Sequence, residues 1–144
     1  MNIKFDPNPN HSDVDFLTNK INDETIEYGQ ASPFGFFIKD VSQNIIAGAN
    51  GFIIYGSVYT DQLWVSKKCR KQGIARKIME NVHDYGRNQK CSIATIQTME
   101  FQGAVEFYKK LGYIQDFKRS GYINNCHCIF MKKELIRSGL TQNP

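Results

Sequence analysis

The stretch Leu63 to Ala75, LWVSKKCRKQGIA, reads as the end of a strand, a short basic loop and the start of a helix. Leu63, Trp64 and Val65 are apolar and favour extended backbone. Lys67, Lys68, Arg70 and Lys71 follow with no acidic residue among them, and Gly73 precedes the helical pattern that opens at Ile74 and Ala75. A helix N-terminus presents unpaired N–H groups and partial positive charge. A glycine beside it lets an anion approach the backbone with no Cβ in the way. The junction therefore suits a phosphate cradle. The same residues also suit an ordinary basic loop capping a helix. Neither G-x-x-x-x-G-K-[ST] nor G-x-G-x-x-G is present.

Working outward, the segment before this stretch divides into strands. Phe34–Lys39 is one, Ile45–Tyr55 a second with a bend or bulge suggested by Gly48 and Gly51, and Ser57–Val65 a third. Short turns at 40–44 and at Gly56 make them an antiparallel meander. After Gly73, the residues Ile74, Ile78, Val82 and Tyr85 share a helix face, and the helix is expected to stop near Gly86. Cys91–Thr98 alternates as a strand, so a strand–helix–strand unit with parallel pairing follows. A helix from about Gly103 places Ala104, Phe107, Tyr108 and Leu111 on one face, with Gly112 just past its end. Residues 113–118 and 126–133 read as a closing strand pair.

Upstream, Asn2–Phe5 is expected as a short first strand ended by Asp6-Pro7-Asn8-Pro9. Ser12 and Asp15 form a capping-box pattern, and Val14, Leu17, Ile21 and Tyr28 recur at helical spacing from about Ser12 to Gly29. That region carries Asp13, Asp15, Asp23, Glu24 and Glu27. The acids suit a cationic amine, or simply a solvated helix face. The chain reads as one domain over 1–144. Residues 1–33 hold the first strand and a helical region, residues 34–134 the sheet core, and residues 138–144 a loose tail.

A second segment, Phe101–Tyr113 (FQGAVEFYKKLGY), stands downstream of the cradle. Arg70-Lys71-Gln72-Gly73-Ile74-Ala75 resembles the R/Q-x-x-G-x-G/A signature of the GNAT superfamily of acetyl-CoA-dependent N-acetyltransferases. Phe101–Tyr113 resembles that family's N-x-x-A-x-x-F-Y-x-x-x-G-F segment through Ala104, Phe107, Tyr108, Gly112 and Tyr113, with Phe101 where Asn is usual. The likeness covers roughly residues 34–134. It implies an α/β (α+β) GNAT fold: a mixed central sheet with an antiparallel meander, a βαβ cofactor unit and flanking helices. In this family the helical region near the N-terminus borders the acceptor site.

The resemblance implies acetyl transfer from acetyl-CoA, as cosubstrate, to a primary amine. Arg70, Lys71, Gln72, Gly73, Ile74 and Ala75 would hold the pyrophosphate, with Ala104 and Phe107 lining the cofactor. The amide-rich pantetheine arm would pair with backbone at Leu63, Trp64 and Val65, as a ligand adding to a strand edge. The family's bulge in that strand opens the groove. The Val65 N–H would face the thioester oxygen as it gains charge, a contact typically worth ~3 kcal/mol. Tyr108 matches the general-acid position: a phenol of pKa ~10 can protonate a thiolate whose acid has pKa ~8.5. Tyr108 also suits a packing aromatic. An amine of pKa ~10 must shed a proton before attack, and Asp61 and Glu100 are candidate bases, with His127 and Tyr59 behind them. Each of these also suits a purely structural role.

Two other classes stay open. One is a GNAT fold that binds CoA as a sensor without turnover, which Phe101 favours and Tyr108 disfavours. The other is a nucleic-acid-associated protein, including one acting on aminoacyl-tRNA, using the six basic residues between Lys67 and Lys77. A net charge of +4 is mild for nucleic-acid binding. Forty-one per cent hydrophobic content supports a packed core in 144 residues. No apolar run reaches the ~18 residues of a membrane span, and MNIKFDPNPN lacks a signal peptide's apolar region, so a cytosolic protein is expected. The four cysteines, Cys69, Cys91, Cys126 and Cys128, are expected as free thiols. Cys126-His127-Cys128 is too tight for a C-x-x-C knuckle, and no metal is expected. Compact relatives commonly form homodimers.

Overall fold

In the computed structural model, which describes residues 1–135, the turn after Lys39 is closed by a side chain. Asp40 Oδ1 accepts the N–H groups of Ser42 (2.8 Å) and Asn44 (2.9 Å). This Asx turn sets β1 (Ser32–Lys39) antiparallel to β2 (Ile45–Ile54). Gly56, at φ 84°, turns the chain into β3 (Ser57–Val65), and the meander is as expected. Then α2 (Ile74–Asn88) leads to β4 (Ile93–Met99), which runs parallel to β3. After α3 (Val105–Lys110) come β5 (Ile114–Arg119) and β6 (Cys128–Glu134). The six-stranded mixed sheet has the order β1-β2-β3-β4-β6-β5. Helix α1 (His11–Glu24) precedes the sheet.

The core lies on the face of the sheet that α2 covers. Ala47, Ala49, Val58, Ala94, Ile96, Ile129 and Met131 point into it from alternate strand positions. Helix α2 answers with Ile78, Met79 and Val82, and α3 with Tyr108 and Leu111. Each buried Val, Ile, Leu or Met among them contributes roughly 1.5–3 kcal/mol by leaving water. Tyr85 stays partly buried and packs on Phe34 and Phe36, with ring centroids at 5.6 and 6.0 Å. Gly112 ends α3 as expected: it sits at φ 90°, and the Tyr113 N–H reaches back to the Tyr108 carbonyl at 3.1 Å.

Four expectations need correction or placement. Asn2–Phe5 forms no strand: residues 1–10 have no regular structure, and β1 is the sheet's outermost strand on that side. A strand there would need a ladder partner, and two prolines in DPNP remove donors beside it. The Ser12–Asp15 capping box is not used, since α1 begins at His11 with Asn10 at its N-cap and no side-chain cap bond. Helix α2 does not stop at Gly86 but runs to Asn88. Gly86 serves packing instead, because a Cβ there would lie 2.6 Å from the Val58 side chain. The expected tail, Ser138–Pro144, lies outside the described residues.

Candidate active site

The site begins with one extra residue in β3. Asn50 pairs with Gln62 and Gly51 with Thr60, so Asp61 has no partner in β2. This is a β-bulge, and bulges bend the strand that carries them. Gly51 permits it: a Cβ there would stand 1.9 Å from the Tyr59 carbonyl oxygen. Pairing of β3 with β4 covers only Ser57–Thr60 against Ile93–Ile96. Beyond Thr60 the two parallel strands have no ladder between them, and the sheet is split.

Ladder alternation then fixes what the split exposes. The Ser66 N–H donates to the Ile46 carbonyl at 2.8 Å, so Trp64, two residues back, also faces β2 with its backbone groups. The N–H and C=O groups of Leu63 and Val65 point the other way, into the split. The Val65 carbonyl is taken by Arg70 Nε at 2.9 Å.

Past Val65 the chain makes a 3-10 turn over Lys67–Cys69 and then two left-handed residues, Lys71 at φ 62° and Gly73 at φ 76°. Gly73 is the N-cap of α2 and makes no side-chain cap bond. The first N–H to find an intrahelical acceptor is that of Lys77, to the Gly73 carbonyl. The N–H groups of Ile74, Ala75 and Arg76 are left at the helix mouth, with no acidic residue in the first turn. The loop and the helix N-terminus form a cationic cup.

The split and the cup are one groove of about 840 Å3. Leu63, Trp64, Val65, Arg70, Lys71, Gly73, Ile74, Ala75, Ala104, Phe107 and Tyr108 line it, all expected from the sequence. Gln72 does not line it: its Nε2 turns back to the Lys68 carbonyl at 3.3 Å. Tyr108 is 8% exposed. Burial pushes its phenol up to about 12, so it holds its proton at neutral pH. Phe107 and Tyr113 flank it edge-on at 5.1 and 5.6 Å.

The two candidate carboxylates stand outside the groove lining. Asp61 is exposed at the bulge and accepts the Tyr59 hydroxyl at 3.2 Å. Tyr59 in turn accepts from Gln97 Nε2 at 3.0 Å, and its phenol is raised by burial first, with the Asp61 charge adding. Glu100 is engaged elsewhere. Lys118 Nζ at 2.8 Å and His127, through its backbone N–H (2.9 Å) and Nδ1 (2.7 Å), hold its carboxyl down to about 2. His127 is therefore Glu100's partner. The acids of α1 are exposed, and the helix is pinned through Asn22, whose side chain exchanges two hydrogen bonds with the Ala31 backbone.

Sequence reading missed Cys69, Arg76, Gln102, Gly103 and Lys110, which also line the groove. Gln102 Oε1 accepts the Met99 N–H (2.9 Å) and the Thr98 hydroxyl (3.0 Å), which ties the end of β4 to the start of α3. Its place beside Phe101 was the available signal: Phe101 is 64% exposed and outside the groove, and the neighbouring amide lines it instead. Among the described residues the four cysteines are free, and no three His, Cys, Asp or Glu side chains cluster as a metal site. No helix among them is long and apolar enough to cross a membrane.

An edge of free amides, a left-handed glycine at a helix mouth and a cluster of cations suit an anionic ligand with hydrogen-bonding groups along its length. A family model described as the acetyltransferase (GNAT) domain matches residues 7–135. No curated protein matches by sequence. Among solved structures, an acetyltransferase from Bacillus cereus ATCC 14579 is 20% identical, with 92% of this chain and 98% of that one covered at a TM-score of 0.70. The ribosomal-protein-S18-alanine N-acetyltransferase from Escherichia coli is 13% identical over 94% and 96%, at 0.67. A protein of Bacillus anthracis str. Ames, assigned as a streptothricin acetyltransferase and solved with acetyl coenzyme A, is 15% identical over 77% and 68%, at 0.66. At these identities the structural likeness is one of fold.

Proposed function

The chain belongs to the GNAT family of acetyl-CoA-dependent acyltransferases, and from that premise we propose that it moves an acetyl group from acetyl-CoA to a primary amine of a small molecule, peptide or protein by direct attack. The observation that carries this reading is the split itself. It runs from a cationic helix mouth, past the free amides of Leu63 and Val65, to the buried hydroxyl-bearing Tyr108.

Each residue then has a task. The N–H groups at the mouth of α2, with Arg70 and Lys71, neutralise the diphosphate. Backbone at Leu63 to Val65 pairs with the pantetheine amides. The Val65 N–H stabilises the oxygen that gains charge during attack. Tyr108, protonated at neutral pH, donates its proton to the departing thiolate. Asp61 removes the proton of the amine, directly or through water. It stands at the bulge with its carboxylate oriented by Tyr59, whereas Glu100 is too weak a base once Lys118 and His127 have lowered it.

Phe101 favours a second reading, a CoA-binding sensor without turnover, because it offers no amide where the family's Asn stands. One experiment separates the two. Release of CoA thiol is followed against a panel of primary amines, for the wild type and for Tyr108→Phe. An enzyme shows amine-dependent release that falls by about 10² in the variant, with acetyl-CoA affinity kept. Release no faster than in buffer for every amine would leave the sensor reading standing.

A further inference from the structure

The parallel ladder between β3 and β4 ends at Thr60 and Ile96. Asp61 and Gln97 are the first residues past it, one on each strand. Thr60 and Ile96 are buried on the core side, so alternation turns the Tyr59 and Gln97 side chains to the open face of the sheet. There one hydroxyl joins the two sides of the split. The Tyr59 oxygen lies 3.0 Å from Gln97 Nε2 and 3.2 Å from Asp61 Oδ1. Cys128 of β6 extends the row, with its Sγ 3.8 Å from Gln97 Oε1.

The donors and acceptors give this row one direction. An ionised carboxylate can only accept, so the Tyr59 O–H is spent on Asp61. Burial holds the Tyr59 phenol above its ordinary value, with the Gln97 amide pulling the other way, so the proton is present at neutral pH. The phenol oxygen can then only accept from its other neighbour, which must present its amide N–H. That leaves Gln97 Oε1 to accept the Cys128 S–H. The bonds run from Cys128 to Gln97 to Tyr59 to Asp61, over three strands and across the apex of the split. Among the described residues Asp61 has no other hydrogen-bond or ion-pair partner, so its second oxygen is open.

We propose that Gln97 and Tyr59 are positioning residues for the acetyl transfer: their one-way bonds hold Asp61 Oδ1 at the apex of the split and leave its other oxygen for the incoming amine. The inference rests on Asp61 as the base. Gln97 does not touch the reacting atoms. It acts through Tyr59 alone, and through the direction of its bond rather than through bulk or charge. Gln97→Glu reverses that direction, because a carboxylate there competes with Asp61 for the Tyr59 proton.

The test is steady-state kinetics with acetyl-CoA and the panel amine that releases CoA thiol fastest. The wild type is compared with Tyr59→Phe, Gln97→Met, the two combined, Gln97→Glu and Asp61→Asn. Tyr59→Phe and Gln97→Met should each lower kcat about fivefold, the worth of one hydrogen bond, with the KM for acetyl-CoA unchanged. The double variant should fall no lower than Tyr59→Phe, since Gln97 has nothing to act through once the hydroxyl is gone. Gln97→Glu should fall below Gln97→Met, although its added negative charge would by itself attract an ammonium. Losses that multiply in the double variant would overturn the inference, as would a Gln97→Glu variant at least as active as Gln97→Met. So would a rise in acetyl-CoA KM in step with the fall in kcat. In each of these cases a slow Asp61→Asn keeps the base reading. Wild-type kcat in Asp61→Asn would remove that reading and the inference with it, as would the absence of amine-dependent release.

Discussion

Arg70 is anchored to the strand that precedes it: its Nε donates to the Val65 carbonyl at 2.9 Å. One side chain thus joins the end of the free strand edge to the cationic loop. It consumes one backbone acceptor in the split and leaves the Val65 N–H available. It also holds the guanidinium at the groove wall, where its remaining donors can face a phosphate.

Arg70→Ala should therefore weaken acetyl-CoA binding by roughly 1.5–3 kcal/mol, the worth of a charge-assisted bond. Arg70→Lys keeps the charge but not the planar fork, and should recover only part of the loss. Titration calorimetry on the two variants checks this. Equal affinity in Arg70→Lys and wild type would mean the anchoring bond has no role.

Two glycines should fail for different reasons. At Gly51 a Cβ would meet the Tyr59 carbonyl at 1.9 Å, so Gly51→Ala must displace β3 at the bulge. A loss of about 3 kcal/mol or more in denaturant unfolding is expected. At Gly73 a Cβ would meet nothing within 4 Å, but φ is +76°. Gly73→Ala should cost only ~1 kcal/mol of strain. Similar losses at the two positions would contradict the close approach at the bulge.

His83 is buried and neutral, held down to about 4 chiefly by burial, with the Lys133 and Arg87 charges adding. Its folded value lies below the unfolded ~6.5, so the unfolded chain binds the extra proton. Stability from this group is present above pH ~6.5 and is lost as pH falls towards 4, on the order of 3 kcal/mol in all. Unfolding free energies measured across pH 4–7 should show this slope, and His83→Gln should flatten it. An unchanged slope in the variant would assign the loss to other groups.

The two carboxylates should separate in kinetics. Asp61→Asn should lower kcat by about 10² with little change in acetyl-CoA affinity. Glu100→Gln breaks contacts to Lys118 and His127 and should leave kcat within about threefold. The reverse ranking would move the base to the end of β4.

The cradle, the meander and the αβ alternation were legible because they rest on local signals. A basic loop before a glycine, a turn over 40–44 and helical spacing from Ile74 to Tyr85 each name their own conformation. The motif pair carried Tyr108 and the groove wall with it. The extra residue at Asp61 was not legible by position, because a bulge depends on the register between two strands, and sequence shows only one at a time. Gly86 misled for a related reason: a glycine that ends a helix and one that lets it lie against Val58 look alike along the chain. Met79 and His83 are buried from positions outside the expected stripe, and His83 turns to Tyr113, past the end of α3, rather than to the sheet. That Glu100 is engaged was not legible, because Lys118 reaches it from β5 and His127 from the residue before β6.

The most direct test of the account is a calorimetric titration of the protein with acetyl-CoA, for the wild type and Gly73→Glu. The substitution leaves the core untouched and puts a carboxylate at the helix mouth where the diphosphate is expected. Saturable binding by the wild type, lost by at least tenfold in a variant of unchanged far-UV circular dichroism, is the predicted result. Binding unaltered by the substitution would contradict the cradle, and no binding by the wild type would contradict the function.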